Sequence, residues 1–239
     1  MRPKDNESRV PYEFIGRARV LRDRALAVNK PTLDAIERIY GILAARARRS
    51  PIPRKDLLQE AATAWRREIP EFGMLNREIE LKRNTLRLVE LRVGGGHVHY
   101  PHWGAEVEKG IGILRIELRC ARRLCEMKSD IFCLVGLHAL ARWMQRRGDQ
   151  SEGVLMSDLA ALADQRERLL EHGDNLDDQS FACHVSGGAW VGQVVRLWSE
   201  RTKSNERVLS VRSFLNDAQI SPPLERDPAK GKESESLPE

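Results

Sequence analysis

Cysteine is scarce in this chain: four in 239 residues, with no Cys-x-x-Cys pair. So few thiols, set mostly among apolar neighbours, exclude a disulfide-stapled miniprotein and lead us to expect free cysteines in a reducing compartment. No stretch reaches the roughly 18 to 20 apolar residues needed to span a bilayer, so no membrane segment is expected. The opening MRPKDNESRV lacks the apolar run of a secretory signal, which points to the cytoplasm. There is no internal repeat, no heptad run and no GxGxxG opening a helix, so neither a solenoid nor a dinucleotide site is expected, and no cofactor.

What is abundant is charge, unevenly placed. Residues 1 to 150 carry 30 Lys and Arg against 19 Asp and Glu, a net of +11, whereas residues 151 to 239 carry 10 against 16, a net of −6. A basic front of this kind favours a polyanionic partner, because each neutralised phosphate releases condensed counterions. Arginine outnumbers lysine there, and its planar fork suits phosphate. A merely soluble basic surface explains the same composition.

Hydrophobic periodicity divides the chain. Residues 1–11 and 221–239 are polar and expected to be disordered tails. Residues 12–72 form a basic helical region: a helix near Phe14 to Val28, a second from Thr32 to Arg49 with Leu33, Ile36, Ile39, Tyr40, Leu43 and Ala47 inward, and a third from Asp56 to Ile69. Acids open the second helix and Arg46, Arg48 and Arg49 close it, matching the helix dipole. Residues 73–220 read as one α+β unit, with helices packed on an antiparallel β-meander. Val89, Leu91 and Val93 alternate with Glu90 and Arg92, and Leu114, Ile116, Leu118 and Cys120 alternate with charged residues, so two half-buried strands flank the loop GGGHVHYPHWG. A short apolar run, Asp130 to Val135, leads into helices at Leu137 to Arg147 and Leu155 to Glu171. The meander Ser180–Val185, Ala189–Trp198 and Val208–Leu215 follows.

The helix HALARWMQRRG carries the most specific chemistry. His138, Arg142 and Arg146 recur every four residues, forming one cationic stripe whose mutual repulsion an anion would relieve. A histidine titrating near neutrality can move protons, and guanidinium groups can hold a phosphate as charge develops. Metal-independent cleavage of RNA by its own 2′-hydroxyl needs that pairing.

The order of elements from Lys128 to Leu215, a strand, then H-A-x-x-R-x-x-x-R on a helix, a leucine-rich helix and a closing meander, resembles the RelE-like and barnase/EndoU-like ribonuclease toxins. The resemblance implies an endoribonuclease with His138 as acid and base and Arg142, Arg146 and Arg212 on the phosphate. Ser213 stands near where many members place a Thr or Tyr on the last strand. The chain departs from that pattern in lacking an aromatic hydroxyl there, in the extra Arg147, and in its length.

Other clusters admit blander readings. His97, His99 and His102 lie within six residues and could hold a divalent metal, or simply decorate a surface hairpin. Cys120, Cys125, Cys133 and His138 offer zinc-ligand types at poor spacing. Trp190 and Trp198 share strand register and could stack bases, but sheet core is the commoner role for tryptophan. Arg46, Arg48, Arg49, Arg54, Lys55, Arg66 and Arg67, on a helix-break-helix, form a second nucleic-acid-binding candidate. The sequence therefore points to a nucleic-acid-acting protein, with RNA ahead of DNA as partner: an endoribonuclease, or alternatively a non-enzymatic DNA- or RNA-binding regulator, or a basic module that docks an acidic protein. Its oligomeric state is left open.

Overall fold

The computed structural model describes residues 10–49, 55–82, 85–99, 107–121, 124–148, 150–171, 180–199 and 204–220. Most of the two expected tails, residues 1–9 and 221–239, lies outside the described residues. The elements in chain order are α1 (Tyr12–Arg49), α2 (Lys55–Glu68), β1 (Met74–Lys82), β2 (Thr85–His99), β3 (Val107–Ala121), β4 (Leu124–Gly136), α3 (Leu137–Arg146), α4 (Glu152–Glu171), β5 (Ser180–Val185), β6 (Gly188–Ser199) and β7 (Ser204–Asn216). The fold is α+β: a long helix and its partner precede a seven-stranded sheet of order β1-β2-β3-β4-β7-β6-β5. Neighbouring strands pair antiparallel except β4 and β7, which run parallel.

The two helices expected before Arg49 are one, with Pro31 inside it. Proline removes an N–H and so leaves the carbonyl four residues back without its helical bond. The helix continues because its contacts on both sides of Pro31 hold it, and the Thr32 hydroxyl donates to the Val28 carbonyl at 2.6 Å across the weakened turn.

Sheet burial follows strand parity. One face presents Leu86 and Leu88 of β2 beside Ile116, Leu118 and Cys120 of β3, covered by Ile36, Ile39 and Leu43 of α1 and by Leu58, Ala62 and Trp65 of α2. The other face presents Val93, Ile111, Ile113, Cys133, Val135, Leu209 and Val211, covered by α3 and α4. The first half of α1 joins this second cluster through Ala18 and Ala25, so the helical region and the sheet share their cores. Where α1 crosses β2 the approach is close: a Cβ on Gly94 would stand 2.7 Å from the Asn29 side-chain oxygen, which only glycine avoids.

Four sequence expectations change. Strand β1 was not anticipated, because four of its nine residues are charged and its inward residues, Ile79 and Leu81, are only partly buried. Strand β2 runs on through the glycines to His99, so most of the supposed loop is hairpin. Glu90 and Arg92, expected on the wet side of their strand, are both fully buried. Cys120 and Cys125, expected as free thiols on different faces, are opposed residues of the β3–β4 hairpin and form a disulfide. A spacing of five across a tight hairpin places both on one face, because the turn reverses the chain between them.

The buried pair sits in a network. The Glu90 carboxylate accepts from Arg92 Nη1 at 2.6 Å, from Arg77 Nε at 2.8 Å and from Trp65 Nε1 at 3.1 Å. Arg92 also donates to the carbonyls of Phe72 at 3.0 Å and Pro70 at 3.4 Å, and Arg77 to that of Ile69 at 3.4 Å. Burial pulls the Arg92 guanidinium down from its ordinary pKa, and Glu90 opposes that fall. Removing one partner of a buried pair leaves an uncompensated charge at a cost of about 3–5 kcal/mol. We therefore expect Glu90→Gln to lower unfolding free energy by about that amount in urea titration; a loss below about 1 kcal/mol would mean that the network contributes little.

Candidate functional site

The parallel pair organises the candidate site. Val135 of β4 lies opposite Val211 of β7, and the chain passes from β4 through Gly136 directly into α3, so His138 stands in the first turn beyond the carboxyl end of β4, alongside β7, which runs on to Asn216. This is the sole parallel junction among the described strands.

Strand β7 is irregular at the same level. Ser213 pairs with Val191 and Val211 with Gly192, which leaves Arg212 as the extra residue of a β-bulge. Val211 and Phe214 are both in the core under α3, and Ser213 lies on the opposite face beside Val191, so β7 changes face across the half-buried Arg212. Ser213 is thereby turned away from α3.

Helix α3 is enclosed. Ala139 through Met144 are six consecutive buried residues, possible because α1, β7 and α4 surround the helix. Trp143 stacks on Trp190 with ring centroids 6.5 Å apart, and Phe214 meets Trp190 edge-on at 5.0 Å. Asp158 of α4 accepts from Trp143 Nε1 at 2.8 Å and Arg147 Nε at 3.2 Å, locking α4 to α3.

That enclosure separates the three members of the cationic stripe. His138 is exposed, Arg142 is buried behind it, and Arg146 is half-buried with its guanidinium donating to the Phe214 carbonyl of β7. Arg142 donates through Nε to His138 Nε2 at 3.4 Å and through Nη1 to Gln145 Oε1 at 3.1 Å. Imidazole can accept at Nε2 only when its proton is on Nδ1, so this contact selects one neutral tautomer. The arrangement can hold an imidazole against a guanidinium at a solvent boundary.

The second candidate set divides along α2. Arg46, Arg48 and Arg49 in the last turn of α1 and Lys55 at the start of α2 are exposed near the interhelical loop, while Arg66 and Arg67 are exposed at the far end of α2, about 16 Å away along the helix axis. Arg54 lies outside the described residues. Arg67 pairs with Glu68 at 2.9 Å, and Arg38 reaches the same carboxylate at 2.7 Å. Helix α2 commits its apolar side to the sheet, so any groove-binding role falls to its outer side.

His97 and His99 stand in β2 opposite Lys109 and Val107 of β3, and His102 lies outside the described residues. Among the described residues no group of three or more His, Cys, Asp or Glu is placed to hold a metal ion. The zinc arrangement weighed for Cys120, Cys125, Cys133 and His138 is overturned by the disulfide and by the burial of Cys133. Trp190 is fully buried core. The sequence reading missed Asp158, although an acid on the inward side of an otherwise leucine-lined helix is the signal of a buried polar anchor. No family model matches the chain, and no curated protein or solved structure does either.

The two remaining thiols are chemically quiet. Burial pushes Cys183 from its ordinary 9.0 up to about 12, with Asp158 and Asp164 adding to the shift, and burial raises Cys133 further still. A thiol whose folded pKa is raised stabilises the fold fully below its unfolded value and loses that contribution as pH rises through the folded value. Stability should therefore fall between pH 9 and about 12, and Cys133→Ala/Cys183→Ala should fall less steeply in denaturant titrations over that range; equal slopes would mean that neither thiol is shielded.

Proposed function

We propose that the protein acts on RNA, cleaving it without metal at the junction of β4, α3 and β7. The observation that carries this reading is exposed His138 in contact with buried Arg142, on a helix packed against the strand whose bulge residue is Arg212. In such a reaction the 2′-hydroxyl of the substrate attacks its own phosphate, His138 takes the hydroxyl proton once its contact with Arg142 opens, the P–O5′ bond breaks to leave a 2′,3′-cyclic phosphate, the protonated His138 returns the proton to the departing 5′-oxygen, and Arg212 offsets the charge on the phosphate. Arg142 orients the imidazole from behind, and Arg146 serves chiefly to fix α3 on β7.

Incubating the purified protein with total cellular RNA in EDTA should give discrete fragments on a denaturing gel. His138→Ala should slow cleavage by roughly 10²- to 10⁴-fold, the usual contribution of a positioned acid or base. RNA left intact by the wild-type protein, or cut equally by the variant, would remove this reading.

A second reading is favoured by one observation: Arg46, Arg48, Arg49 and Lys55 are exposed and have no ion pair among the described residues. They would contact phosphate in a protein that binds nucleic acid without cutting it. Affinity for single-stranded RNA should then fall steeply with salt, and Arg46→Ala/Arg48→Ala/Arg49→Ala should reduce the log–log salt slope by about 2 units, at roughly 0.7 per lost contact. An unchanged slope in anisotropy titrations would exclude this surface.

A further inference from the structure

The outer side of the α1–α2 hairpin carries a groove of about 560 Å³, floored by Ile39 and Ala61 and walled by Ile42, Leu57 and Ala64. Ile42 is 53 % exposed, the most exposed isoleucine among the described residues, and it stands one turn from the buried Ile39 and next to the buried Leu43. An apolar lining left open on a helical hairpin is a surface that water covers poorly.

The charges on the outer stripe of α2 differ in sign from one end to the other. Asp56 and Glu60 lie at the loop end of α2, whereas Arg67 and Arg38 lie at the other end, both on Glu68. Asp56, Glu60, Thr63 and Arg67 follow one another at steps of four, three and four, so they form a single stripe along the helix. Turning that stripe end over end about the level between Ala61 and Ala62 returns it to complementary positions: Asp56 meets Arg67 of the partner subunit, and Glu60 meets Thr63 of the partner subunit.

We infer that this groove is a self-complementary interface and that a second copy of the chain occupies it, with α2 antiparallel to α2 across a two-fold axis. A two-fold contact requires a surface that reads the same when reversed, and the opposite signs at the two ends of the stripe meet that requirement. The small side chains of Ala61 and Ala64 allow the helices to approach, and Ile42 and Leu57 flank the seam. The inference is independent of the nucleic-acid readings.

Sedimentation velocity on the full chain without nucleic acid tests it. The wild-type protein should dimerise, more weakly as salt rises. Asp56→Arg alone and Arg67→Asp alone should each raise the dimer dissociation constant by at least about tenfold, because each sets like charges against one another. Combining them in Asp56→Arg/Arg67→Asp should restore the dimer, a recovery that damage to the fold would not give. Ile42→Asp should also yield monomer. A wild-type chain that stays monomeric at every concentration, a dimer that neither single charge variant weakens, or a double variant that does not recover would each overturn the interface.

Discussion

The arrangement of helices on this sheet depends on one buried carboxylate. Glu90 is the acid at the centre of a network that gathers the part-buried Arg77, the buried Arg92 and the Trp65 indole, and through Arg92 and Arg77 it reaches the carbonyls of residues Ile69, Pro70 and Phe72. Those carbonyls belong to the link between α2 and β1. Carbonyls in a link outside helix and strand need donors from elsewhere, and here guanidinium groups rising from the sheet supply them. The network thereby fixes where α2 ends, how β1 begins, and how the Trp65 side of α2 lies over the strands. Hydrophobic contact alone would permit the helix to slide; hydrogen bonds with fixed directions do not.

A second constraint acts at the other end of the sheet. Beyond Gly136 strand β4 stops, and α3 continues alongside β7 under the first half of α1. Its six consecutive buried residues would be untenable on a surface helix, and they explain why an arginine in their midst is held by a histidine and a glutamine one turn away on either side. Burial of Arg142 and tethering of Arg146 convert a stripe that looks uniform in sequence into three different environments. The candidate chemistry is then narrower than the sequence suggested: one exposed imidazole, one guanidinium behind it, and one arriving from a bulge.

Much of the fold was legible because period matched burial. Ile116, Leu118 and Cys120 alternate as a half-buried strand should, and the three closing strands carry turn residues between apolar runs, with Gly187 taking the left-handed φ of +80° in the first of those turns. Legibility failed where a residue's partner lay far away in sequence. Glu90 and Arg92 read as solvent-facing because their ion pair is visible only once Arg77 and Trp65 are brought beside them. Pro31 read as a break because the packing that carries α1 through it comes from strands and helices far along the chain. Arg212 could be named as a site residue from the pattern, but its face could not, since a one-residue bulge reverses the parity on which such a reading rests.

Charge tells the same story of local pattern against tertiary placement. The excess of arginine over the first 150 residues reads as one basic footprint, yet the structure distributes it among different tasks. Arg77 and Arg92 neutralise a buried acid; Arg87 and Arg115 form an open ladder on the sheet with Glu78 and Glu117, in which Arg87 and Glu117 lie 2.9 Å apart and hold each other in the charged form. Arg17 and Arg24 tie α1 to residues Gln150 and Glu152 at the start of α4. Each guanidinium engaged in this way is lost to phosphate, because a ligand would have to displace a partner already in place. Among the described residues, the last turn of α1 with its neighbour Lys55 carries exposed cations with no such partner, so a charge that composition assigns to half the chain is divided by the fold among separate tasks.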